Sequence, residues 1–191
     1  MASTLTPPQT PAVTGPSPVT GDETTPTVIR PLDAGDRIRI VELFDGLSDR
    51  DRFYRFFRPM PTYPSALLDL LCGMDGVDHL AFGAVTGDRC GGVARVIRLS
   101  SDPTVGELAV TVAADQRGHG MAGRLTRAVA AAAAEVGIER LVIDVHPENR
   151  AASRSFARMG FRLGFDYGSL VGTLAIGELT PAADRALAVA A

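Results

Sequence analysis

Apolar residues recur along this chain with two different periods, and the switches between them divide it. Val28-Ile29-Arg30 reads as a short strand; Asp33 then stands where a helix N-cap belongs, and Ile38, Val41, Leu43 and Phe44 follow at helical spacing. Leu47-Ser48-Asp49 ends that helix and caps a second, Asp49 to Arg58, which alternates Asp and Arg while carrying Phe53, Tyr54, Phe56 and Phe57. A third short helix follows Pro64, from Ser65 to Cys72. His79 to Thr86, Gly91 to Leu99 and Glu107 to Val112 are apolar, β-branched runs with turns at Gly87-Asp88 and Ser100 to Pro103, which predicts an antiparallel meander. Beyond Val112 come a loop to Gly120 and an Ala-rich helix from Met121 to Val136, closed by Gly137 as a left-handed cap. Leu141 to Val145 is a buried strand, Asn149 to Met159 a helix stopped by Gly160, and Phe161 to Tyr167 and Ser169 to Ile176 the final strands.

The ends differ in kind. Residues 1 to 26 hold six Pro and seven Thr against Leu5, Val13 and Val19, too little apolar surface to offset ordering entropy, so a disordered tail is expected there. Residues 179 to 191 are an Ala-rich tail, which leaves 27 to 178 as one domain, and 46% hydrophobic residues in 191 suffice for a core. No apolar run reaches the ~18 residues of a membrane span and no signal peptide precedes the domain, so no membrane partner and a cytoplasmic address are expected.

Charge and cysteine usage narrow the chemistry. All 19 basic residues are Arg, which excludes both a P-loop lysine and a Schiff-base amine. A net charge of −3 argues against a nucleic-acid partner, which needs a broad basic face. Cys72 and Cys90 are far apart, without CxxC spacing or a His pair, so they read as reduced thiols and no metal is expected.

The most informative segment is Gln116-Arg117-Gly118-His119-Gly120-Met121-Ala122-Gly123, between a strand and a helix. Small residues let the backbone approach a ligand, and amides at a helix start face an anion, so this is a phosphate or pyrophosphate cradle. Gly118, Gly120 and Gly123 also match the dinucleotide fingerprint, with Asp144 21 residues beyond Gly123 as the ribose acid. That reading, a nucleotide-dependent oxidoreductase, requires the first glycine almost directly after the strand and several further βα units. Here Ala113 to Arg117 intervene, a meander precedes, and only two helix-strand units follow.

Val112-(x4)-Arg117-Gly118-x-Gly120-x-Ala122 resembles the acetyl-CoA loop of the GNAT superfamily of N-acetyltransferases, whose Arg/Gln-x-x-Gly-x-Gly/Ala pattern is met by Arg117, Gly120 and Ala122. Asn149 and Gly160-Phe161 stand at the family's second landmark, and the likeness extends from Val28 to Ile176. The resemblance implies an α/β (α+β) fold. Its mixed, mostly antiparallel sheet of six to seven strands is flanked by helices and splayed between the strand ending at Val112 and the strand Leu141 to Val145. It also implies acetyl-CoA as co-substrate, with the backbone of Val110, Thr111 and Val112 on the pantetheine. The pyrophosphate would lie on Arg117, Gly118, His119, Gly120, Met121, Ala122 and Gly123, with Asn149 nearby and His119 contributing backbone only. The plainer reading of the glycines is a tight loop opening a helix. Leu47-Ser48 to Phe57 and Glu107-Leu108-Ala109-Val110 look like the acyltransferase domain of bacterial protein-lysine acetyltransferases and their stand-alone relatives. These residues hold no counterpart of the nucleotide-binding domain that often accompanies it, so a lysine-protein substrate carries over less firmly than acetyl-CoA.

Transfer to an amine needs a neutral nucleophile, hence a base. Glu107 is the catalytic candidate: it precedes the loop, shares a strand face with Ala109 and Thr111, and stands where the resembling enzymes use a Glu. The alternative is an ordinary strand-edge carboxylate. Many GNAT enzymes place a proton-donating Tyr seven residues after the Asn; Phe156 occupies that place and cannot donate, leaving Ser153 and Ser155 as weak substitutes. His146 reads as a turn histidine, with a second base as the other possibility, and His79 has no partner visible in sequence. Arg52, Arg55 and Arg58 form either a solvated face or a specificity element beside the acceptor groove. The expected activity is acetyl transfer to a primary amine, on a protein lysine or a small molecule; the competing function is a non-catalytic acyl-CoA sensor.

Overall fold

The computed structural model describes residues 25 to 179, so the two expected tails lie almost wholly outside the described residues. Strand β1 is Val28–Pro31, followed by helices α1 (Arg37–Asp45), α2 (Asp49–Phe56) and α3 (Ser65–Cys72). Strands β2 (His79–Thr86), β3 (Arg89–Leu99) and β4 (Asp102–Val112) form the meander. Helix α4 (Met121–Glu135), strand β5 (Arg140–Val145), helix α5 (Arg150–Arg158) and strands β6 (Arg162–Asp166) and β7 (Ser169–Ala175) complete the domain. The seven strands lie in the order β1-β2-β3-β4-β5-β7-β6, antiparallel at every junction except β4 with β5.

Two layers cover the sheet. On one face Leu125, Val129, Ala130 and Ala133 of α4 and Phe156 of α5 pack on Ala94, Val96, Leu108, Leu141 and Ile143; alanines in α4 bring its axis close to the strands. On the other, Ile40, Leu43 and Phe44 of α1 and Leu71 of α3 meet Ala81, Val85 and Val93.

Three expectations need correction. Asp33 caps a single 3-10 turn, Ala34–Asp36, closed by reciprocal hydrogen bonds with Asp36, so α1 starts at Arg37. That phase buries Ile40 completely and leaves Ile38 71% exposed. Phe57 takes a left-handed conformation (φ 56°), which stops α2 at Phe56 rather than Arg58. Strand β4 begins at Asp102 rather than Glu107, because Leu99 already pairs with Asp102 and Ser100-Ser101 alone make the turn. Its polar first half hides this from an apolar-run criterion.

The parallel β4–β5 junction is short. Only Val105, Gly106 and Glu107 pair, with Arg140, Leu141 and Val142; beyond them the strands part, so the splay opens earlier along β4 than its end at Val112. Gly106 is required there, since a Cβ would run into Val96 and meet Ile138 at 3.3 Å.

Candidate active site

The splay holds a cleft of about 630 Å³. Glu107 enters it at the last paired position of β4, and Val110, Thr111 and Val112 line it along the part of β4 that β5 does not pair. Arg117, Gly118, Met121 and Ala122 close one end, and Asn149 with Ser155 and Phe156 of α5 form the opposite wall. His119, Gly120 and Gly123 are not among its lining residues. His119 and Gly120 are solvent-exposed.

The glycine loop is shaped as an open cradle. Gly118 (φ 84°) and Gly120 (φ 74°) both occupy left-handed conformations, with no described atom within 4 Å of where a Cβ would stand. Gly120 is the N-cap of α4 and supplies no side-chain acceptor, so the first amides of this 15-residue helix are left for another partner. A diphosphate fits this donor set, from backbone amides and the helix dipole together.

Side chains around the cleft are partly committed. Arg117 donates through Nε to the Val112 carbonyl at 3.0 Å, and its Nη2 lies 3.1 Å from Asp51 Oδ1. Burial works against the Asp51 carboxylate, but the Ser48 hydroxyl and Arg117 together hold it below the usual range. Asn149 accepts at Oδ1 from the Ala152 amide at 3.1 Å, capping α5, which leaves its amide NH2 uncommitted. Phe156 is buried against Phe161, with ring centroids 5.4 Å apart. Ser153 donates to the Asn149 carbonyl, which leaves Ser155, Thr111 and Tyr54 as hydroxyls lining the cleft.

Helix α2 contributes more than its sequence indicates. Asp51 reaches the glycine loop, while Phe53, Tyr54 and Phe57 gather around His146 just past β5, with centroids 5.0, 5.1 and 5.8 Å away. The helix therefore bridges the mouth of the splay, and His146 is a packing partner in this bridge. Arg52 donates to the carbonyls of Leu47, Asp45 and Pro61, a structural use, whereas Arg55 lines the cleft. His79 is corrected too: it is buried, with Nε2 3.1 Å from Arg95 Nη1. Arg95 escaped notice in sequence, although a lone charge inside Val93-Ala94-Arg95-Val96-Ile97 on a core strand was the available signal.

An acetyltransferase (GNAT) domain family model matches residues 27–162. The chain belongs to the GNAT acetyltransferase family. Among GNAT relatives, Acetyltransferase Pat of Mycolicibacterium smegmatis is 31% identical over 117 residues, which are 58% of this chain and 34% of that protein. The chain thus spans about a third of the length of that curated relative. The GNAT domain of S. lividans PAT superposes with a TM-score of 0.74 at 26% identity, covering 78% of this chain and 90% of that one. A phosphinothricin acetyltransferase from Sinorhizobium meliloti, solved with AcCoA, has a TM-score of 0.65 at 15% identity over 81% and 90% of the chains, a likeness of fold. The GNAT sheet, antiparallel on both sides of its one parallel junction, is not the doubly wound parallel sheet that a dinucleotide fingerprint requires. Among the described residues no cluster of His, Cys, Asp or Glu could hold a metal ion, and no helix is long and apolar enough to cross a membrane.

Proposed function

We propose that this chain is an acetyl-CoA-dependent N-acetyltransferase acting directly on a primary amine. The observation that carries the reading is the position of Glu107, where β4 and β5 part, in one cleft with the free part of β4 and the glycine cradle. Acetyl-CoA supplies an acetyl group already activated as a thioester. Backbone groups of Val110 to Val112, unpaired by β5, would hold the pantetheine, and an amide there would polarise the acyl carbonyl. The start of α4 and Arg117 would hold the pyrophosphate, and Asn149 would offer its amide NH2. Glu107 would accept the proton lost by the attacking amine, directly or through one water. Phe156 cannot donate a proton where the usual tyrosine would, and Ser155 is a weak substitute in the same cleft; a thiol of pKa about 8.5 needs little help to leave near neutral pH.

Glu107→Gln tests this: turnover at saturating amine should fall ~10²- to 10⁴-fold with acetyl-CoA affinity retained. Near-normal turnover would remove Glu107 from the mechanism. Phe156 favours a second reading, an acyl-CoA sensor. Thermal shift with acetyl-CoA but no thiol release across a broad amine panel would establish the sensor instead.

A further inference from the structure

Helix α2 carries three arginines with different fates. Arg50 donates to the Tyr54 hydroxyl at 2.8 Å and Arg52 to three carbonyls. Arg55, half-buried in the cleft wall, makes no hydrogen bond or ion pair among the described residues; its guanidinium lies 5.1 Å from the centroid of Phe56. Burial drives its pKa below the ordinary arginine value, and the carboxylate that opposes this is Glu107, on the other side of the same cleft.

A second cation lies behind. Arg95 pairs across the sheet with Ala109, a lining residue, and so stands on the sheet face that carries Glu107. It is 2% exposed; Nη1 donates to the Leu71 carbonyl at 2.8 Å, whereas Nη2 has no partner. Burial, and next the repulsion from Arg55, bring its pKa down to about 9. His79 beside it is pushed toward its neutral form by burial and by Arg95, so it adds no further positive charge. Arg55 thus shares the cleft with the Glu107 carboxylate, while Arg95 stands behind the lining and adds positive charge beside Arg55. An unpaired buried guanidinium is costly, and a planar two-donor fork is matched by a carboxylate.

We propose that the acceptor is an amine carrying its own carboxylate, with Arg55, backed by Arg95, binding the carboxylate while Glu107 faces the amine. The inference rests on the acetyl transfer proposed above. The carboxylate could belong to a free amino acid or to an acidic residue beside a lysine, and both present the same pair of groups.

The test follows thiol release from acetyl-CoA with matched acceptors: free amino acids against their methyl esters, and lysine peptides flanked by Glu against the same peptides flanked by Gln. The acid-bearing member of a pair should show kcat/KM about 10- to 100-fold higher, mainly through KM. The class of pair showing the preference identifies the source. In Arg55→Gln the acid-to-neutral ratio should fall to within about twofold, while Arg55→Lys retains part of it. Because the ratio is taken within one variant, loss of folded protein does not move it. Equal use of acids and their neutral partners by the natural protein, or a ratio unchanged in Arg55→Gln, would overturn the proposal. If no amine of either panel releases thiol although acetyl-CoA raises the melting temperature, the transfer reading fails and the proposal falls with it.

Discussion

If the glycine loop holds the diphosphate as proposed, replacing Asp51 with Asn should tighten the binding of coenzyme A, although it deletes a contact of that loop. Asp51 holds Arg117 at 3.1 Å, with side-chain exposures of 25% and 45%, and would compete with a diphosphate for that guanidinium. A pair this exposed contributes roughly 0.2–1 kcal/mol. A unit charge about 7 Å from the diphosphate, at an effective dielectric constant of about 60, adds repulsion of about 0.8 kcal/mol. Together these give about 1–1.8 kcal/mol, or about a five- to twentyfold lower Kd. Asn keeps an acceptor for the Ser48 hydroxyl, which now donates to Asp51 at 2.7 Å, and the Asp51 amide still donates to Ser48. The N-terminus of α2 should therefore survive, with a melting temperature lowered by only about 1–2 °C. Calorimetric titration of coenzyme A at low and high salt measures the effect, which should shrink as salt screens the repulsion. In an Arg117→Gln background the competition component should vanish and only the long-range repulsion remain. A Kd unchanged or raised at low salt, in a variant that melts normally, would refute the reasoning.

Gly106→Ala should lower the melting temperature by about 3–10 °C through overpacking of about 1–3 kcal/mol, read by thermal denaturation, because the added methyl meets Val96 and Ile138 at the β4–β5 junction. His79 has a folded pKa depressed by burial and Arg95, so below about pH 6.5 the unfolded chain binds a proton that the folded one does not. Stability should fall as pH drops through 6.5 toward 5, and His79→Gln should flatten that slope in urea titrations. At lower pH the carboxylates dominate. Hydrogen bonds from Arg30 depress Asp36, and those from Arg89 bring Asp115 down to about 2. Their contribution is complete above about pH 4 and should be lost as pH falls from there toward 2, with a gentler loss in Asp36→Asn.

Most of the frame was legible because apolar periodicity and glycine placement are local signals. Gly137 and the Gly118-to-Gly123 loop bracket α4, and Gly87-Asp88 make the β2–β3 turn as expected. The half of the cleft formed by β4 and the glycine loop was legible for the same reason: Glu107, Val110 to Val112 and the loop lie within 17 residues of one another. The surroundings of Arg55 were less so. Arg55, Arg95 and His79 come from α2, β3 and β2, and only the stacking of α2 over the sheet makes them neighbours. Arg117 shows the same limit, since Asp51, 66 residues earlier, is its partner.

The three-residue seam between β4 and β5 also bears on how the domain unfolds. Strands β1 to β4 form one antiparallel ladder of near neighbours in sequence, and β5 to β7 another. Among the described residues, backbone hydrogen bonds join the two along a short stretch from Thr104, which accepts from the Glu139 amide at 2.8 Å, to Glu107, and α4 spans them from one face. Hydrogen exchange should therefore resolve two cooperative units that meet at this seam, with the amides of Leu108 to Val112 that face it among the first to exchange. Whatever lies along that edge ties the two units together, so ligand binding should be seen as the merging of two exchange classes into one.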